Sequence, residues 1–477
     1  MKIMITTPPA KTTELWPPLG LLYIAANLKK HRNDNVKVVD AFCLNLDGDQ
    51  LVELAVKEGP DVFGMNCSTH TFLTAMETMR KISERLPNTI MLLGGYHATF
   101  AAEQILRGYP FIDYIIKGEA EEALVDLLGC IETGRKPDQV AGISYLDDGM
   151  HISNQIAIVQ DLDALPMPDR KMLSGVEYGY TMQGIPLTFG KFTTISTSRG
   201  CPFNCSYCSC AAFSLRKWRY RSAESVVDEM QLLYDEGYES VVLVDDNFTH
   251  REERVERICG LIRERGIKMK FYCEGRVNNA SLGMLRTMKK AGFDVMYFGA
   301  ESASESVLDY YNKKIKPAQI VSAVENAKEA DMIVVTSFIL GAPVESDEEI
   351  RKTIDFITGL RPHAVEINIL DYLVGTPLWQ QMEKDGIIGP DDWKRNHRVY
   401  EYVEGKDRDR LEAMVQEGYD AYLNAWKNRS GVMELLSLLA HNKTARHVVF
   451  SNLFNPKARE VISSGLRAFG ERPKPDS

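Results

Sequence analysis

No stretch of the 477 residues stays apolar for the roughly eighteen positions that a membrane-crossing helix needs. The opening run, Met1 to Pro8, is too short for a secretory leader and reads as a first strand. Basic charge is also thin: 56 lysines and arginines face 66 acidic residues, for a formal charge of −10. The cations are dispersed, which argues against a nucleic-acid binder with a broad basic face. Cysteine is scarce, and nine of them, an odd and scattered set, do not make a disulfide framework. They fit a reducing, cytoplasmic setting with free thiols. The exception is CPFNCSYCSC at 201–210, where four of the nine crowd together. Hydrophobic residues at 44% and charged residues at 26% are ordinary for a globular chain, and this length implies more than one core.

The first third alternates short apolar runs with amphipathic segments. Residues 2–7, 36–40, 61–66, 89–95 and 111–118 read as strands, and Leu19 to Lys30 as a helix. Phe72, Met76, Met79, Ile82 and Leu86 recur at helical spacing. Strands separated by helices of this length make a parallel sheet, here in a flavodoxin-like order, with ligands beyond the carboxyl ends of the strands. The loops at those ends carry tandem prolines, including Pro8-Pro9 and Pro17-Pro18, and the pair Gly94-Gly95 before His97. Prolines stiffen a loop, and glycines allow close backbone approach to a ligand. Residues 146–190 read as a connector, with prolines in LPMPDR.

A β-rich run, 192–200, delivers the chain into Cys201, Cys205 and Cys208. Three thiolates in one loop suit an iron–sulfur centre with one iron left open, where four would saturate it. A zinc knuckle or free thiols is the plainer alternative. Cys210 reads as a small buried residue. Downstream, strands at 241–246, 270–275, 295–302, 333–341 and 364–370 alternate with helices at 223–236, 250–265, 280–290, 317–330 and 346–359. With the strand before the cysteines they make six βα units, a partial TIM-like barrel whose chemistry belongs at the carboxyl ends of its strands. Asp245, Asp246, Glu274, Arg276, Glu301 and Ser302 fall there. The basic stretch RKWRYR at 216–221 reads as a solvated loop or a contact for cofactor anions. Residues 401–477 are helix-prone and carry no chemical motif.

Cys201-x3-Cys205-x2-Cys208 with Tyr207 before the last cysteine, directly after a strand, resembles the radical S-adenosylmethionine (SAM) signature. Residues 1–145, with KGEAEEAL at 117–124, resemble the cobalamin-binding domain that precedes one class of those enzymes. The whole, to about residue 400, resembles the cobalamin-dependent class B radical SAM enzymes. The resemblance implies an α/β chain: a Rossmann-like, flavodoxin-like cobalamin domain at 1–145, a linker at 146–190, a radical SAM (β/α)6 domain at 191–400 and a helical region at 401–477. It implies a [4Fe–4S] cluster on Cys201, Cys205 and Cys208. SAM would be met by Tyr207, Asp245, Asp246, Glu274, Arg276, Glu301 and Ser302, and cobalamin by Pro9, Gly94, Gly95 and His97. The family's DxHxxG histidine, which ligates cobalt from below, is absent: Phe42 stands two places after Asp40. His97 and His70 lie at strand ends near that face. The implied activity is methylation of an unactivated carbon by a 5′-deoxyadenosyl radical and methylcobalamin. Oxidative cyclisation of a tetrapyrrole and a non-catalytic cobalamin or iron–sulfur sensor are the alternatives. Expected partners are a peptide, protein or small-molecule substrate and an electron donor such as ferredoxin or flavodoxin, with no nucleic acid and no membrane span. The lack of a large lipid-docking segment favours a peptide or protein side chain.

Overall fold

In the computed structural model, the described residues are 1–427 apart from 11–15, 174, 180, 183–184, 187, 189 and 396, together with 434, 437–440, 442 and 445. Two separate sheets organise them. The first holds β1 (Lys2–Thr6), β2 (Asn35–Val39), β3 (Val62–Asn66), β4 (Ile90–Gly94), β5 (Tyr114–Ile116), β6 (Ile143–Asp147) and β7 (Met150–Ser153). Their order is β2-β1-β3-β4-β5-β6-β7. The first five are parallel, in the flavodoxin-like order the sequence implies, and β6 and β7 add antiparallel at the edge. That hairpin carries the sheet on to Ser153, into the span expected to be connector. Helices Leu19–His31 and Ala120–Glu132 cover one face, burying Leu22, Leu28, Leu124 and Leu127 on Ile3, Ile5 and Leu92. Helices Gly48–Glu58 and Phe72–Arg85 cover the other, with Leu51, Met76 and Met79 packed in the core there. The order reverses between β1 and β3, which opens a crevice at their carboxyl ends.

The second sheet holds six parallel strands in sequential order: Phe192–Ile195, Ser240–Leu243, Lys270–Gly275, Phe293–Glu301, Ile333–Leu340 and Ala364–Ile369. Its first and last strands do not pair, so it is a partial barrel. Each strand is followed by a helix, among them Ala223–Asp235, Glu252–Glu264, Leu282–Lys290, Pro317–Glu329 and Asp347–Leu360. Alternation decides the faces. Phe271 and Cys273 point outward into the helical core, whereas Tyr272 joins Phe192, Val242, Val295, Ile333 and Val335 inside, at the amino end. Trp16, Leu438, Leu439 and Ala445 close that end. Helix Arg408–Lys427 packs on the last barrel strand, where Tyr419 Oη accepts from Ile367 N (3.0 Å). Residues 432–439, expected to be helical, lie partly outside the described residues.

A candidate cofactor site between two sheets

The cysteine loop is clamped from below. Asp245 lies two residues past the second barrel strand, 1% exposed, and its carboxylate accepts from Thr197 N (2.6 Å) and from the hydroxyls of Thr197 and Ser198. Both oxygens are thus occupied in shaping the turn into the loop, so Asp245 lies beneath it. Its neighbour Asp246 accepts from Gly200 N (2.8 Å) and faces open space. Gly200 has φ +82, and a Cβ there would stand 2.4 Å from Lys217 O, so only glycine passes. Beyond it, Ser206 N bonds Tyr311 O (2.9 Å), Leu378 N bonds Ser206 O (2.9 Å) and Asn312 Nδ2 bonds Asn204 O (2.6 Å). Cys201, Cys205 and Cys208 are free thiols on this scaffold.

Two cations stand behind the thiols. Arg276 is buried, with Nη1 3.6 Å from Cys205 Sγ, its guanidinium 3.8 Å over the Phe203 ring and Nη2 on Lys313 O. Lys313 Nζ donates to Glu301 Oε1 (2.6 Å), which also accepts from Tyr207 Oη (2.9 Å). Glu301 is 4% exposed and sits at φ +67, a conformation non-glycine residues rarely adopt; the surrounding bonds hold it there. Ser302 is fully buried and accepts from Ser304 N (3.1 Å), a turn-shaping task. Lys313 sits in NKKIK, a stretch whose pattern carries no signal of this role. The Cys210 thiol reaches Cys208 and Asp246, and that contact holds the Cys208 thiol below its usual range. Cys210 is therefore not the buried filler its position in sequence suggests.

Inside the barrel mouth, Glu274 and Asp246 are reached by solvent but walled by protein. Burial, then the charges of Asp246 and Glu366, push the Glu274 carboxyl up to about 7. Asp246 is also raised, chiefly by burial. Glu274 pairs in register with Tyr297, whose hydroxyl donates to Glu366 (2.8 Å).

A cavity of about 400 Å³ opens between this mouth and the carboxyl ends of β1, β3, β4 and β5. Its walls include Gly94, Gly95, Tyr96, Gly200, Cys210 and Asp246. Pro9 and His97 are not among them. His97 turns away beneath Phe72 and Trp393, ring centroids 4.4 and 6.1 Å off, because helix Tyr96–Phe100 presents Tyr96 to the cavity instead. His70 is exposed outside it. Gly95 has φ +97, and a Cβ would stand 2.5 Å from Cys67 O; glycine is required there to pass the neighbouring loop rather than to approach a ligand. Ion pairs lock the cavity rim across the two sheets. Glu119 takes both Arg219 nitrogens (2.7 and 2.8 Å), and Glu121 takes Arg199 (2.7 Å), which also lies over Tyr23. Burial pushes the Glu119 carboxyl up, but the two arginines outweigh it and hold it low. KGEAEEAL thus supplies the rim, and its arginine partners could not be paired from sequence.

A B12 binding domain model matches residues 8–128, and the Radical SAM superfamily model matches residues 195–357. Over 405 residues the chain is 31% identical to an uncharacterized methyltransferase of Pyrococcus horikoshii, covering 83% of this chain and 86% of that protein. The chain belongs to the cobalamin-dependent radical SAM enzymes. It is also 30% identical to the anaerobic magnesium-protoporphyrin IX monomethyl ester cyclase of Cereibacter sphaeroides, over 77% of this chain and 60% of that longer protein. The fold is shared with the cobalamin-dependent radical SAM enzyme OxsB (TM-score 0.71, 18% identity, 100% of this chain and 76% of that one). It is shared too with the methyltransferase TsrM of Kitasatospora setae (TM-score 0.68, 18% identity, 82% and 79%). Cofactors of this enzyme family are a [4Fe–4S] cluster, SAM and cobalamin. The residues present suit them: three thiols with a cation beside them, carboxylates in a barrel mouth, and a cavity at the switch point of a flavodoxin-like sheet. No helix among the described residues is long and apolar enough to cross a membrane.

Proposed function

We propose that this radical SAM enzyme is a methyltransferase acting on an unactivated carbon, in a peptide or protein side chain. One observation carries the reading. The cavity on the first sheet and the mouth of the barrel share Gly200, Cys210 and Asp246, so a methyl carrier in one would face SAM in the other. Relatives described as a methyltransferase and as hopanoid C-3 methylase support methyl transfer. In this reading Cys201, Cys205 and Cys208 would hold the cluster, with the Arg276 guanidinium 3.6 Å from Cys205 Sγ beside it. Asp246 and Glu274 would meet SAM, with Glu301 buried behind them and held by Lys313 and Tyr207. Gly94 and Gly95, which line the cavity, would be among the residues along a bound cobalamin. Cofactors and substrate filling the space between the two sheets would keep water from a reactive centre. When bound, the cluster and SAM supply hydrogen abstraction, and cobalamin supplies the methyl group.

Anaerobically reconstituted protein should hold about four irons, as that cluster type requires. The triple variant Cys201→Ala/Cys205→Ala/Cys208→Ala should hold none and cleave no SAM. A normal cluster signal in that variant would overturn the ligand assignment. With a peptide library and methyl-labelled SAM, each methylated product should accompany one S-adenosylhomocysteine and one 5′-deoxyadenosine. One SAM donates a methyl cation while another is cleaved at its adenosyl carbon, and a single molecule cannot do both. Substrate-dependent 5′-deoxyadenosine without methyl transfer would replace this reading with an oxidation of the kind named for the cyclase relatives.

A further inference from the structure

We propose that the surface around the tip of the cysteine loop is the docking face for an acidic one-electron carrier protein. The proposal rests on the reading that Cys201, Cys205 and Cys208 hold the cluster, which must receive an electron from outside. Pro202 at the tip is exposed, and Phe203 beside it is half-buried between the first two cysteines. Exposed cations flank this tip on both sides: Arg216, Lys217 and Arg251 on one, Lys314 and Lys316 on the other. Contacts tie both groups to the tip. The Phe203 ring meets His250 (6.0 Å), which meets Trp218 (4.7 Å); on the far side Arg276 covers Phe203 and bonds Lys313 O. Among the described residues none of the five cations forms an ion pair within 4.0 Å, although most other arginines of the chain do. The nearest acids in sequence, Glu252 and Glu253, open the following helix, and Glu252 accepts from Ser281 (2.6 Å).

The backbone supports a built surface. Leu215, Arg216, Asn312 and Lys314 all stand at left-handed φ, between 49 and 55. Turns that hold bulky residues there persist only where surrounding contacts enforce them. In a chain of net charge −10, five unpaired cations around one loop attract an acidic partner and orient it. A nucleic acid fits less well. Trp218 and Tyr220 stack on each other (4.7 Å) and Arg251 lies over both, so although Tyr220 is exposed, both rings are already engaged by neighbours rather than splayed as a stacking platform for bases. The partner is therefore a low-potential flavoprotein or iron–sulfur protein with an acidic face. One electron leaves the reduced carrier and enters the oxidised cluster; no bond is made or broken, and this chain needs to move no proton.

The test uses reconstituted holoenzyme and a purified acidic flavodoxin. Arg216→Glu/Lys217→Glu and Lys314→Glu/Lys316→Glu probe the two flanks independently, and Lys57→Glu/Lys268→Glu is a remote exposed control. Each flank variant should weaken flavodoxin binding by about tenfold or more, and wild-type binding should weaken as salt rises. The control should bind as wild type. Stopped-flow reduction of the cluster by reduced flavodoxin should slow in parallel, while reduction by dithionite stays unchanged. Flank variants that bind and accept electrons like wild type would overturn the proposal. So would tighter binding of a single-stranded RNA oligonucleotide that both variants lose. If wild-type holoenzyme fails to cleave SAM even with dithionite, the catalytic reading fails, and the binding measurements alone decide this one.

Discussion

His97 shows how one side chain answers to its surroundings rather than to its place in a motif. It is 1% exposed, and burial pushes its imidazole down to about 4. The unfolded chain, with an ordinary value near 6.5, takes up a proton as pH falls below about 6.5, while the folded chain does so only near 4. Folding stability contributed at this site is therefore full above the unfolded value and declines from about pH 6.5 to pH 4, by on the order of 3 kcal/mol. Comparing thermal unfolding of wild type and His97→Phe across that range should show a shallower acid decline in the variant. His97→Phe should still bind cobalamin. Electron paramagnetic resonance of the cob(II)alamin form should lack the three-line nitrogen splitting in both proteins. Equal acid decline would mean that His97 does not carry this titration, and a splitting that the variant removes would put His97 at the cobalt.

At the scale of elements, the cysteine loop owes its shape to the ends of the first two barrel strands. Asp245 and Asp246 bond Thr197, Ser198 and Gly200 before the first cysteine is reached. Gly200 is the hinge of that arrangement, and Gly237 offers a matched comparison. Both have left-handed φ, +82 and +81, but a Cβ on Gly237 meets nothing within 4 Å. Gly237→Ala should cost only the backbone term, about 1 kcal/mol. Gly200→Ala adds a backbone clash, so it should cost about 2–3 kcal/mol and reduce iron loading after reconstitution. Equal unfolding midpoints and equal iron content in the two variants would show that the loop tolerates the displacement.

Across the whole molecule, buried charge ties the carboxyl end of the first sheet to the segment around the cysteine loop. Arg219 and Glu119 are 8% and 9% exposed and form a two-pronged pair across the cavity rim. Removing Arg219 leaves Glu119 buried with only the more distant Arg199 (3.6 Å) to offset it, at a cost of up to about 3–5 kcal/mol. Arg219→Gln should lower the unfolding temperature and weaken cobalamin binding, since the cavity depends on both walls. Glu119→Gln/Arg219→Gln should recover part of the stability, because neither charge is then left alone. An Arg219→Gln protein with unchanged melting and cobalamin affinity would mean the sheets are held by packing alone.

Periodicity and motif spacing determined much of this protein. The strands at 270–275 and 333–341 reappear as Lys270–Gly275 and Ile333–Leu340, and the helix at 223–236 as Ala223–Asp235, because apolar spacing reports which face of an element is buried. The flavodoxin-like order, the partial barrel and the cysteine loop between them were legible for the same local reason. Pairings across long separations were not. Nothing near Lys313 in sequence points to Glu301 or Arg276, and nothing in KGEAEEAL points to Arg199 and Arg219 about eighty to a hundred residues on. Which of two adjacent residues faces the cavity, Tyr96 over His97 and Asp246 over Asp245, was also decided by tertiary structure. Motif position sets a residue's neighbourhood, but a rotation of one residue along a helix or strand end turns its side chain from cofactor space into the core.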